Sequence, residues 1–278
     1  MELWATASRR GGKKIMGYKI TVLAENTAPE YLEAEHGLSF FVETSTVNFL
    51  LDCGQTAVAW RNAEKLGIDV SRVEFVVLSH SHYDHAGGFP LFAEKYKPKL
   101  LYTGPTFWQE KFSYDKETGQ CIYRGCGFTK WDLASWEIEQ RVCRDVLSLN
   151  EEAMLITGFT ERYPFEQIPK KFLRGVAKEP DSFDDEICLL LKGSDGLTLV
   201  VGCSHRGILN IVSSVLEKTK KPVKRIIGGI HLKGAGEERK ERTLKELKRL
   251  GVSRLNLCHC SGIELPSRIS AGSVVYVE

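Results

Sequence analysis

A chain of 278 residues, 42% hydrophobic and 27% charged, has the composition of a folded globular protein, and its length suffices for one large core or two small ones. Its formal net charge of +2 gives no strong electrostatic footprint for nucleic acid or an anionic membrane surface, so neither is expected as a partner. No apolar run approaches the roughly 20 residues of a membrane-crossing helix, and a cytoplasmic protein is expected.

At the N-terminus, Arg9, Arg10, Lys13 and Lys14 precede no apolar stretch long enough for an export signal. Residues 1–15 read as an extension ahead of Met16 and are expected to be poorly ordered. The 8 cysteines are scattered, from Cys53 to Cys260. Without an export signal they read as thiols of a reducing compartment, not as a disulfide framework.

From Tyr18 onward, short β-rich runs recur at 18–24 (YKITVLA), 38–43 (LSFFVE), 47–52 (VNFLLD), 73–79 (VEFVVLS) and 99–102. A helical pattern at 56–66 separates the third from the fourth. Residues 104–182 then lose clear periodicity, mixing aromatics (Trp108, Trp131 and Trp136 among them) with turn residues. They are expected to form an irregular insertion that covers the active site. Strands resume at 187–192 and 197–201, joined by Gly193-Ser194-Asp195-Gly196, a hairpin signal. Helical patterns at 207–218 and 237–250 alternate with strands at 223–227, 254–258 and 274–277. In the second helix, Leu244, Leu247 and Leu250 form the apolar side, so its many charges read as a solvated face. The alternation predicts a single mixed α/β domain over residues 16–278.

Two strands end alike: FVVLSH and TLVVGCSH both finish in Ser-His before a helix. The first runs on as His80-Ser81-His82-Tyr83-Asp84-His85, which places 3 of the 7 histidines and an aspartate within six residues. In an extended segment alternate side chains share a face, so His80 and His82 can grip one ion. The following loop lets Asp84 and His85 face a neighbouring position. Imidazole and carboxylate donors suit zinc, with manganese and iron as alternatives. A bound dication lowers the pKa of its water to roughly 7, which fits a hydrolytic enzyme.

The run from His80 to His85 resembles the H-x-H-x-D-H signature of the metallo-β-lactamase superfamily. Other landmarks follow in order: Leu50-Leu51-Asp52-Cys53-Gly54 at one strand end, Gly202-Cys203-Ser204-His205 at another, and Cys258-His259-Cys260-Ser261-Gly262 near the C-terminus. The resemblance implies an α/β fold of the αβ/βα sandwich type. It implies one metal held by His80, His82 and His205, and a second by Asp84, His85 and His259, with Asp52 orienting the metal loop. Asp84 also counts among the catalytic residues.

In one respect the sequence departs from that family. A bridging Asp, or a Cys that binds one ion, is common between the two later histidines, whereas Ile226-Ile227-Gly228-Gly229-Ile230-His231-Leu232 offers His231. A neutral imidazole has one free lone pair and cannot bridge two ions as a carboxylate does. His231 is therefore expected to act in catalysis, either as a ligand of one ion or as a contact to the substrate. His36, a single histidine between Glu35 and Gly37, reads as a loop residue at most rimming the pocket.

The phrases DDEICLLL, GCSHRGILNIV, IGGIHL and HCSG resemble one subgroup, whose members carry the label dihydropterin-methyl-(ribofuranosyl)aminobenzene phosphate synthase. That resemblance implies a small phosphate-bearing substrate and either hydrolysis or a transferase reaction. A nuclease of the same fold would need a basic groove, and a non-catalytic binding module should have lost ligands that are all present here.

Overall fold

The computed structural model describes residues 17–263 and 268–277, together with a two-residue antiparallel ladder between Arg9–Arg10 and Lys13–Lys14. The expected order of residues 1–15 otherwise falls outside the described residues. Five strands open the chain: β1 (Tyr18–Ala24), β2 (Ser39–Glu43), β3 (Asn48–Leu51), β4 (Val73–Val77) and β5 (Leu100–Thr103). Helix α1 (Val58–Lys65) joins β3 to β4, while α2 (Tyr83–Ala86) and α3 (Phe89–Tyr96) lie between β4 and β5. Next come β6 (Lys111–Asp115), β7 (Gln120–Tyr123), α4 (Lys130–Ser135), β8 (Glu139–Val142) and β9 (Val146–Ser148). They are followed by β10 (Ala153–Ile156), β11 (Phe172–Arg174) and β12 (Glu179–Pro180). The last third holds β13 (Cys188–Lys192), β14 (Leu197–Val201), α5 (Ile208–Thr219) and β15 (Val223–Gly228), then α6 (Glu237–Arg249), β16 (Arg254–Leu257) and β17 (Val274–Val277).

Two sheets face each other. The first has the order β8-β5-β4-β3-β2-β1-β17 and the second β9-β10-β13-β14-β15-β16. Side-chain alternation fixes which face of each strand turns inward. Ile20, Val22, Phe40, Val42, Phe49, Leu51, Phe75 and Val77 from the first sheet meet Leu155, Leu189, Leu191, Val200 and Ile227 from the second in one core. The intervening residues Phe41, Leu50 and Val76 turn outward onto α1 and α3. On the other side Leu190, Leu199, Val201 and Ile226 turn outward onto α5 and α6. The result is an αβ/βα sandwich of four layers. Among the described residues no helix is long and apolar enough to cross a membrane.

The stretch read from sequence as an insertion is divided. Residues 139–156 supply strands to both central sheets: β8 pairs in parallel with β5, and β10 pairs antiparallel with β13. Strand β8 reads polar (EQRV) because it is an edge strand whose alternate residues meet water. The rest forms a separate four-stranded sheet in the order β12-β11-β6-β7 and the short helix α4. A capping box between Thr129 and Asp132 starts α4.

Candidate metal centre

Strands β3, β4 and β5 run parallel, as do β14, β15 and β16, and their carboxyl ends open on one rim of the sandwich. From the first sheet come Asp52 and residues 79–85, and from the second come residues 202–205, 228–231 and 258–259. Four non-glycine residues at these strand ends hold left-handed backbone: Asp52 (φ 62°), Ser204 (60°), His231 (49°) and His259 (54°). Such strain persists where surrounding structure over-determines it, and it gathers at functional sites. Gly202 serves the close approach of the two halves, since a side-chain carbon there would overlap the Ser79 hydroxyl.

Asp52 is fully buried and organises the first loop. Its carboxylate accepts from Ser79 N (2.7 Å), from Ser79 Oγ (2.8 Å) and from His85 Nδ1 (2.7 Å). Because the single Ser79 hydroxyl proton goes to Asp52, the 3.0 Å contact between Ser79 Oγ and His80 Nδ1 must be donated by the ring. Both His80 and His85 are thus fixed with Nδ1 protonated and Nε2 turned to the cluster. Burial disfavours charge on His85, but the carboxylates of Asp52 and Asp84 outweigh it and lift its pKa to about 9.

His80, His82 and His205 form one triangle, with ring centroids 4.7, 4.9 and 4.9 Å apart. Burial pushes His80 and His205 well below the usual imidazole range and His82 down to about 3, so all three rings are neutral at neutral pH. Their buried nitrogens are orphaned: His80 Nε2, His82 Nε2 and both nitrogens of His205 have no hydrogen-bond partner. Buried polar atoms are rarely left this way without an ion or water to receive them.

A second group lies alongside. His85 Nε2 is 3.2 Å from His259 Nε2, and Asp84 Oδ2 is 3.3 Å from the latter and 3.8 Å from the former. Burial opposes the charge of Asp84, yet His85 and His259 outweigh it and hold its pKa well below the usual carboxylate range. Glu25 accepts the His259 backbone N–H at 2.6 Å, and Asn26 Oδ1 lies 3.0 Å from His259 Nδ1. Three sets of ligand atoms lie within 4.8 Å of one another and could hold a cation: His80–Cys203–His205, His85–Cys203–His259 and His36–Asp84–His259.

All six residues expected as ligands therefore converge on one rim. His36, read as a loop residue, reaches Asp84 Oδ2 at 3.3 Å and stacks on His259 with centroids 5.3 Å apart. Cys203, overlooked as a donor, has Sγ 3.1 Å from His85 Nε2. Its adjacency to His205 in GCSH was the available signal. His231 sits with its ring 4.4 Å from that of His205 and 5.8 Å from Phe172, and like His82 it belongs to none of the three sets. Burial and then the positive charge of Lys171 push its pKa down to about 4.

The insertion and the segment just after it, residues 183–186, close against this cluster. Phe183 stacks on His205 with centroids 3.9 Å apart, and Phe172 lies 5.6 Å from His82. Asp185 Oδ2 accepts from both Ser81 N and Ser81 Oγ at 2.9 Å, between the two metal-loop histidines. Its other oxygen accepts from the buried Lys111 ammonium at 2.7 Å, which also donates to Asp181 at 3.0 Å. Glu186 accepts the backbone N–H of His205 and of Arg206, each at 2.8 Å. Sequence position hid these partners, since Ser81 and Asp185 lie 104 residues apart.

Comparison with known proteins accords with this geometry. Residues 32–106 match the model of the metallo-beta-lactamase superfamily. A curated protein of Methanocaldococcus jannaschii named 7,8-dihydropterin-6-methyl-4-(beta-D-ribofuranosyl)-aminobenzene-5'-phosphate synthase is 30% identical over 270 residues, covering 90% of each chain. An uncharacterized protein of the same organism is 27% identical over 259 residues, covering 90% of this chain and 93% of its own. Among solved structures, Tm1679, described as a metal-dependent hydrolase of the beta-lactamase superfamily, superposes with a TM-score of 0.74. It is 29% identical and the match covers 88% of this chain and 89% of that one. The short form of human tRNase Z, at 13% identity and a TM-score of 0.54 over 94% of this chain and 99% of its own, shares the fold.

Proposed function

Because the chain belongs to the metallo-β-lactamase superfamily, we propose that it is a metal-dependent enzyme acting on a small phosphate-bearing substrate. In this reading His80, His82 and His205 hold one dication, and Asp84, His85 and His259 hold a second. The observation that carries it is the set of four buried imidazole nitrogens, on three neutral rings, that no protein group satisfies. Nitrogen donors with one carboxylate favour zinc, with manganese and iron as alternatives. A dication there supplies Lewis acidity and lowers the pKa of a coordinated water to about 7.

The chain's own residues do the rest. Asp52 and Ser79 hold Nδ1 of His85 and of His80, which turns Nε2 of both rings toward the cation positions. Asp84, kept ionised, takes contacts from His36 and His259 on the same oxygen, which fixes its carboxylate at the rim. Phe172 and Phe183 exclude water from one wall. Lys171 and Arg239 lie near enough to His231 to disfavour a positive charge on it, and the same cations favour an anionic substrate.

Hydrolysis of a phosphoester is the first reading. Transfer to an acceptor is the second, favoured by the synthase name of the Methanocaldococcus relative. A panel of phosphomonoesters, phosphodiesters and lactones, each with and without chelator, separates them when a diphosphate ester is also offered with an arylamine acceptor. Phosphoester cleavage without acceptor supports hydrolysis, and product that forms only with the arylamine supports transfer. Both should vanish on chelation while the circular dichroism spectrum is kept, because a core of this size does not depend on metal to fold. Turnover of a lactone alone contradicts the phosphate assignment.

His231 is read as a substrate contact, because the Lys171 and Arg239 cations near it favour an anionic substrate on that side of the site. His231→Ala is expected to leave the metal content unchanged and raise KM about tenfold or more, the cost of one hydrogen bond to a charged group. Loss of one metal equivalent would make His231 a ligand instead.

A further inference from the structure

Cys203 lies at the seam between the two ligand groups. Its side chain is buried, on the turn that carries His205 out of β14. The ligand atoms of His80, Cys203 and His205 lie within 4.8 Å of one another, and so do those of His85, Cys203 and His259. Cys203 is the member these two sets share. His80 Nε2 and both nitrogens of His205 are buried and unpartnered, and each of these two rings offers one nitrogen to the first set. The turn after β15, where a bridging carboxylate is expected, carries instead His231, three residues beyond the strand's last residue Gly228, and its single imidazole lone pair cannot serve two ions. A thiolate sulfur keeps several lone pairs and can contact two cations at once.

We propose that Cys203 is a metal ligand whose sulfur is shared between the two cation positions, in place of a bridging carboxylate. This rests on the metal-centre reading above. Ligation uses sulfur lone pairs and releases the thiol proton to solvent, so no oxidant or reductant is involved. A thiolate in an otherwise imidazole and carboxylate site biases it toward zinc, cobalt or ferrous iron and away from magnesium or manganese. Cys260 provides the internal control. It is buried close by, with Sγ donating to the Cys203 carbonyl at 3.5 Å, yet it belongs to none of the three ligand sets.

Cobalt(II) substitution tests the proposal without reference to activity. The cobalt-loaded native protein should show a thiolate-to-cobalt charge-transfer band in the near ultraviolet beside the visible ligand-field bands. The band should be lost in Cys203→Ser and Cys203→Ala, which still bind cobalt through His80, His82 and His205, and kept in Cys260→Ser. Ligand-field bands without a charge-transfer band in the native protein overturn the assignment while leaving the metal centre standing. So does a charge-transfer band that survives in Cys203→Ser. Failure of the native protein to bind cobalt at all overturns the metal-centre reading itself. The native spectrum alone decides whether a thiolate is bound, so that arm holds even where a Cys203 variant does not fold.

Discussion

Asp52→Ala should lower metal affinity by about 10- to 100-fold, the usual cost of losing the group that orients a ligating histidine. The effect arises at a distance from any cation, because Asp52 acts through His85 Nδ1 at 2.7 Å and through Ser79, which in turn receives the His80 ring at 3.0 Å. One carboxylate thus fixes two imidazole tautomers, one for each proposed ion. Its removal also leaves the Ser79 amide and the His85 ring N–H unpaired among buried residues, at about 1–3 kcal/mol for each orphaned donor. Asp52→Asn distinguishes the two effects. The amide keeps the shape and one acceptor, so most of the stability should return. Its NH2 group cannot accept the second donor, so metal affinity should stay reduced. Isothermal titration with zinc, alongside thermal melting of the metal-free proteins, reads the two separately. Unchanged zinc affinity in Asp52→Ala would show that the loop holds its geometry without this carboxylate.

Lys111→Met is the second large effect expected. The Lys111 ammonium is 1% exposed and ion-paired with Asp181 at 2.8 Å and Asp185 at 2.7 Å. Burial works against its charge, but Asp185 and Asp181 outweigh it and raise its pKa. Removing the cation strands two carboxylates in the interior, a loss of about 3–5 kcal/mol for a broken buried pair. In a chain of this length that corresponds to a fall in Tm of about 10 °C. Adding Asp181→Asn to Lys111→Met should recover part of the loss by removing one uncompensated charge, and this non-additivity marks the pair as coupled. Because Asp185 also holds Ser81, the single variant should loosen the segment between His80 and His82 and weaken metal binding as well. A melting temperature within a degree or two of the native value would mean that water replaces the lysine.

The sandwich was legible where periodicity was strong. Runs such as Phe40-Phe41-Val42 and Phe49-Leu50-Leu51 alternate between the inner core and the outer helices, and their lengths match the observed strands. The rim was legible because its residues sit in short motifs at strand ends, from His80 to His85 and at His205 and His259. Two parts were not. Residues 139–156 carry polar edge positions and short strands, whose place in the central sheets is set by tertiary pairing with β5 and β13. The groups behind the histidines were also hidden, since Glu25 meets His259 across 234 residues and Lys111 meets Asp185 across 74. No local pattern encodes such pairs. His36 shows the limit from the other side: a histidine with no partner in sequence comes within 3.3 Å of Asp84 only because its loop folds over the rim.

Elemental analysis of the protein purified without chelator tests the central claim most directly. One or two equivalents of a transition metal, zinc above all, should accompany the native chain. His80→Ala and His205→Ala should each lose the ion of the first group while keeping the native circular dichroism spectrum. A native protein that carries no transition metal and takes up none from zinc, cobalt or manganese solutions would contradict the account. The same holds for metal content that is unchanged in both histidine variants.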